Sequence, residues 1–227
     1  MIVSFLIPLI VTIVNVSTPI LLAATGELVA EKSGVLNLGV EGMMLLGAIA
    51  GFAITFIAGD PQYADSMPWL ATLAPWLGVV AGAIAGALGS LLFGVIVLGL
   101  GANQVATGLA LVIFGGGVSS LIGTAYVGLA LQPFDQIFPD SLAQDPALKL
   151  VFGYSPLVYF SYFMVFAVYW FLNKTRAGLV LRAVGENDVS ARSIGYSVVG
   201  VRYGAIAFGG AMAGIAGSYF SEVITPL

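Results

Sequence analysis

Glu41 follows Asn37 by four residues, a spacing that puts a carboxylate and a carboxamide on one helix face together with Met44 and Ala48. Within an apolar stretch such a pair could line a path for a polar solute or form a gate. A charged side chain at membrane depth costs at least roughly 2.5 kcal/mol and has to face protein or a watery cavity. The competing reading is a glutamate near the end of a span, hydrogen-bonded to neighbouring backbone or protonated. Glu27, Glu31 and Lys32 form a second polar patch, bracketed by Gly26 and Gly34, which suits either a re-entrant bend or an ordinary cytoplasmic turn. Asn103 and Gln104 follow glycines at 99 and 101. Asparagine caps helices well because its side-chain oxygen accepts from the free N–H groups of the first turn, and ligand contact is the alternative. The chain has no cysteine and no histidine, which removes thiol nucleophiles, disulfides, imidazole bases and zinc sites of Cys or His type. No catalytic residue and no metal site are therefore expected. A net charge of -4 with no basic patch to displace counterions excludes nucleic-acid binding.

The elements that must carry these residues follow from composition. Of 227 residues, 59% are apolar, 8% are charged and 30 are glycine. Soluble domains carry roughly a quarter charged residues, so most of this chain has lipid as its solvent. Stretches long enough to cross a bilayer run from about Ile2 to Ala24, Val35 to Ala58, Trp69 to Leu98, Val105 to Ala125, Pro156 to Leu172 and Tyr203 to Phe220. The expected fold is an all-α polytopic membrane protein, one domain over residues 1–227 with about six transmembrane helices, the third tilted or broken near Pro75. Lys174, Arg176, Arg182, Arg192 and Arg202 gather in the connection over residues 173–203, which the positive-inside rule makes cytoplasmic. Alternation then puts Asp60, Asp65 and the Asp135, Asp140, Asp145 and Lys149 segment outside. The N-terminus is also outside, unless a re-entrant segment over Glu27–Glu41 reverses it.

Gly78, Gly82, Gly86, Ser90 and Gly94 recur every fourth residue and line one face of the third span with small side chains. Such a strip lets another backbone approach closely, which is how helices associate when lipid offers no hydrophobic drive between them; a place on a substrate path is the alternative. GAIAGALGS, Gly82–Ser90, returns as GAMAGIAGS, Gly210–Ser218, on helices that run in opposite directions. This is either an inverted-topology repeat or a chance recurrence of Gly/Ala-rich helix. At the offset of 128 residues Leu227 answers to Gly99. Leu100–Tyr126 then has no counterpart, which reads as a chain without its C-terminal helices.

In the basic connection Asn187 suits a helix cap, Asp188 sits against the positive end of the dipole, and Gly195 can stop the helix at positive φ. The two-turn amphipathic helix so defined could turn Val189, Ala191 or Ile194 to a partner's groove, with Glu186 and Arg192 as rim charges, or could lie at the lipid headgroups.

Three runs carry a family resemblance: Thr18–Gly51, with GELVAEKSGVLNLGVEGMM; Leu100–Leu111, LGANQVATGLAL; and Thr175–Ser221, with LRAVGEN. They resemble the membrane permeases of bacterial simple-sugar and nucleoside ABC importers, within the broader group of ribose and branched-chain amino-acid permeases. The resemblance implies a non-catalytic channel-forming subunit of the bacterial plasma (inner) membrane. Its implied partners are an ABC ATPase subunit or fused double ATPase that binds ATP and Mg, a second permease (paralogue or copy), and an extracytoplasmic substrate-binding lipoprotein. Arg182, Gly185, Glu186, Asn187 and Gly195 match the family's coupling loop, with Asp188 where relatives often have proline. Relatives continue beyond Thr225–Leu227. A branched-chain amino-acid permease, and in another class a passive channel or structural membrane subunit, are the alternatives.

Overall fold

The computed structural model describes residues 2–60, 68–131 and 151–224. The connections around Asp65 and from Asp135 to Lys149, and Thr225–Leu227, lie outside the described residues. Eight α-helices are described: α1 (Ile2–Lys32), α2 (Val40–Ala58), α3 (Pro68–Gly94), α4 (Gln104–Gly123), α5 (Pro156–Lys174), α6 (Arg176–Glu186), α7 (Asp188–Ser193) and α8 (Val198–Tyr219). Six helical stretches are long and apolar enough to cross a membrane, and all six correspond to the expected spans.

Several boundaries differ from expectation. α1 continues past Ala24 through Glu27 and Glu31, so no re-entrant bend interrupts it. Glu27 can stay in the helix because its Oε1 accepts the backbone N–H of Asn37 at 3.0 Å, a partner ten residues away. Pro75 leaves α3 continuous. The irregularity comes later, as a π-helical turn over Val95–Gly99. α8 begins at Val198, before Tyr203, because the Ser197 hydroxyl accepts from the Gly200 N–H. It then runs past Phe220 as a second π turn, Phe220–Ile224.

The centre of the bundle is the crossing of α3 with α8. A Cβ built on Gly82 would strike the Ser218 hydroxyl, and one on Gly210 the Ser90 hydroxyl. One on Gly86 would meet the Gly210 carbonyl, and one on Gly214 the Gly82 carbonyl. Adding 128 to each number of the first copy turns each contact into its mate, so the two repeats pack on each other antiparallel and reciprocally. Chance recurrence of a Gly/Ala-rich sequence has no reason to pair this way; a pseudo-two-fold axis does. Gly78 and Gly94 extend the strip at either end, against Thr55 with Glu222 and against the Tyr203 ring. α2 packs along both helices, with Gly47 on Gly214 and Gly217 on the Met44 carbonyl.

Connectivity gathers residues 33–39, 100–103 and 175–197 at one end of the bundle. Lys174, Arg176, Arg182, Arg192 and Arg202, five of the seven basic residues, lie in or beside the last of these, and the positive-inside rule assigns that end to the cytoplasm. The chain is a multi-pass membrane protein, and the amino end of α1 lies at the opposite face.

Candidate functional site

The basic connection folds as two helices joined at Asn187, which has an extended backbone (φ -154°, ψ 97°). Each is capped by its own sequence: the Thr175 hydroxyl accepts the Gly178 N–H at 3.0 Å, and Asn187 Oδ1 accepts the Ser190 N–H at 3.0 Å. Gly195 ends α7 at φ +89°, a conformation an L side chain resists. Asp188 pairs with Arg192 across one turn at 3.8 Å, an exposed contact that contributes little stability. Ala191 turns inward and packs with Val184 and Val198. Of the three apolar residues that could meet a partner, Ala191 is thus used within the chain, while Val189 and Ile194 are each 70% exposed. Glu186 and Asn187 are exposed beside them.

This hairpin of short helices is anchored to the spans by close backbone contact. A Cβ on Gly185 would run into the Lys32 carbonyl, and one on Gly34, whose φ is +84°, would lie 3.2 Å from Gly185 Cα. Arg202 Nε donates to the Ser33 carbonyl at 3.2 Å. The linker over residues 33–39 also binds α4, through the Leu36 N–H donated to Gln104 Oε1 at 2.8 Å. One short linker thus touches α1, α4, α6 and α8 and leads into α2.

The four candidate path residues, Asn37, Glu41, Asn103 and Gln104, lie in or beside the connections that precede α2 and α4. Asn37 lies in the linker rather than on α2, so it does not share a helix face with Glu41. It is buried, its Oδ1 accepts the Gly39 N–H at 2.9 Å, and its Nδ2 donates to Met43 Sδ at 3.4 Å. A side chain that closes a turn onto its own backbone competes with helix, which is why the helical spacing misled here. Glu41 stands exposed in the first turn of α2, where the helix dipole favours a carboxylate, and not at mid-span. Asn103 caps α4, accepting the Ala106 N–H at 3.1 Å, and Gln104 serves the linker.

Arg182 turns away from α7. Its Nε is enclosed and has no hydrogen-bond partner among the described residues, and the side chain lines a cavity of about 380 Å³ with Lys32. An apolar cavity of about 620 Å³ lies nearby between α1, α5, α6 and α8.

Sequence reasoning missed Glu222. It lies in the π turn after α8, is 2% exposed, and sits against Gly51 and Gly78. Thr55 Oγ1 is 3.1 Å from its Oε1, whereas Oε2 has no partner among the described residues. Ending the sixth span at Phe220 left it outside. The available signal was the four-residue spacing of Gly214, Ser218 and Glu222, which continues the small-residue face into a carboxylate.

A family profile described as branched-chain amino acid transport system / permease component matches residues 9–225. The chain belongs to this family. It is similar to a putative glucose ABC transporter permease protein of Haloferax volcanii, at 34% identity over 99% of this chain and 65% of that protein. It is also similar to a guanosine ABC transporter permease protein of Bacillus subtilis, at 30% identity over 92% of this chain and 65% of the relative. A nucleoside ABC transporter permease protein of Lactococcus lactis is 28% identical over 92% and 65%. The chain thus spans about two thirds of the length of these relatives. No solved structure matches it.

Proposed function

We propose that the chain forms part of the permease of an ATP-driven importer for nucleosides or simple sugars. It has no catalytic role of its own, and α6–α7 is the coupling segment on which a cytoplasmic ATPase docks. The observation that carries this reading is the pairing of an exposed apolar tip, Val189 and Ile194, with an anchored base at Gly185. A surface helix lying passively at the headgroups would not need its base locked against Lys32 and Ser33. ATP and Mg belong to the partner ATPase, a second permease completes the path, and an extracytoplasmic binding protein delivers solute. Closure and reopening of the ATPase displaces the hairpin as a rigid body and biases the packing of the two permeases between inward-facing and outward-facing states. Family membership and the names of the relatives support the substrate class.

The test is copurification of the chain with its ATPase from the assembled transporter. Glu186→Ala with Arg192→Ala weakens ATPase docking while capture of solute from outside is unchanged. Val189→Asp with Ile194→Asp removes docking, because each places a charge in the apolar centre of the contact. Undiminished copurification of the ATPase with both pairs would count against the reading. In vesicles, uptake of labelled uridine or ribose should compete with nucleosides and sugars, and competition by leucine alone would move the chain to amino-acid transport. Transport without stimulated ATP hydrolysis would make it a passive channel.

A further inference from the structure

We propose that the cavity between α1, α5 and α6 binds the phosphate of an anionic membrane lipid, held by Arg182 and Lys32. The cavity measures about 380 Å³ and both cations line it, with no carboxylate among its lining residues. Arg182 Nε lies enclosed without a hydrogen-bond partner among the described residues, and a charged donor left so is costly unless an anion reaches it. A guanidinium fork beside an ammonium is the donor set that phosphate oxygens fit.

Position selects a lipid as the source of that phosphate. Lys32 ends α1 and Lys174 ends α5, so the polar mouth of the cavity lies at the cytoplasmic boundary of the spans. From there the lining descends along the helices to Thr25 and Val165, about two turns into the apolar layer. Leu28, Val165 and Tyr169 on this descent are 40%, 41% and 61% exposed, which leaves an apolar seam for an acyl chain beneath the phosphate. A soluble partner could reach the mouth but has no reason to meet the seam. Basic pockets between helices on the cytoplasmic side are where anionic headgroups bind. Arg182 thereby holds α6 to a lipid that also touches α1 and α5, while the exposed tip of α7 stays free.

The experiment titrates the 227-residue chain, purified in neutral detergent, with phosphatidylglycerol, phosphatidylcholine or inorganic phosphate, and reads both thermal unfolding and bound lipid by native mass spectrometry. Phosphatidylglycerol should raise Tm and remain bound where the other two do not. Lys32→Gln should weaken that binding about fivefold, and Arg182→Gln at least as much. Lys174→Gln, exposed and outside the cavity, should leave it unchanged. Lys32 is itself exposed, so its variant folds and keeps the test decisive if Arg182→Gln does not. The proposal is overturned by an equal response to phosphatidylcholine, by inorganic phosphate matching the lipid, or by unchanged affinity in Lys32→Gln. It is also overturned if phosphatidylglycerol neither raises Tm nor remains bound.

Discussion

Gly214→Val is expected to cost the folded state about 3 kcal/mol or more, a large share of the stability of any domain. The first added carbon would overlap the Gly82 carbonyl, and backbone cannot step aside as a flexible side chain can. Either α3 or α8 must move, and α2, which packs on both, must move with it. Because the contact is reciprocal, Gly86→Val should cost about as much, its Cβ meeting the Gly210 carbonyl. Gly204→Ala is the control: it also lies in α8, but a Cβ there meets nothing within 4 Å. Replacing glycine in a helix without strain should leave stability equal or raise it by up to about 1 kcal/mol. Thermal unfolding of the three purified variants in mild detergent checks this. Equal Tm for Gly214→Val and Gly204→Ala would show that the crossing is looser than the contacts imply.

Gly185→Val should disconnect the hairpin from the spans while leaving its docking tip intact. The side chain would push against the Lys32 carbonyl and drive α6 off Gly34. In a reconstituted transporter, on the docking role proposed for α6–α7, the ATPase should still copurify, but stimulation of hydrolysis by delivered solute and uptake itself should each fall about tenfold, the usual scale of coupling between sites. Arg202→Ala, which removes the bond to the Ser33 carbonyl, should act in the same direction with a smaller effect. Wild-type uptake in Gly185→Val would mean that force travels by another route. Loss of ATPase binding would mean that Gly185 shapes the tip rather than its base.

The spans were legible because a bilayer imposes a length and an apolar composition that a single sequence displays directly. The caps at Asn103 and Asn187 and the stop at Gly195 were legible for a similar reason: each depends on atoms within four residues. Two expectations failed on contacts that the helical period does not weigh: Glu27 lies within α1, where it accepts the N–H of Asn37 ten residues on, and Asn37 leaves the helix because its side chain closes onto the Gly39 N–H. Periodicity treats every polar residue in a window alike and cannot see such closures. Glu222 was missed because a charge was used to mark the end of a span, whereas the fold buries that charge in a space kept open by glycines on two other helices.

Each copy of the repeat runs out into a π turn, Val95–Gly99 after α3 and Phe220–Ile224 after α8, within a turn of the equivalent place. A π turn holds one residue more than the α-helical period, so it rotates the downstream segment by roughly 100° and widens the helix at that point. Because the copies are inverted, one such defect sits near the cytoplasmic face and its twin near the outer face. The two ends of the crossing thus carry the same local departure from the α-helical period. Substitutions that remove the extra residue at one π turn alone are therefore the variants in which to look for a bias toward one face.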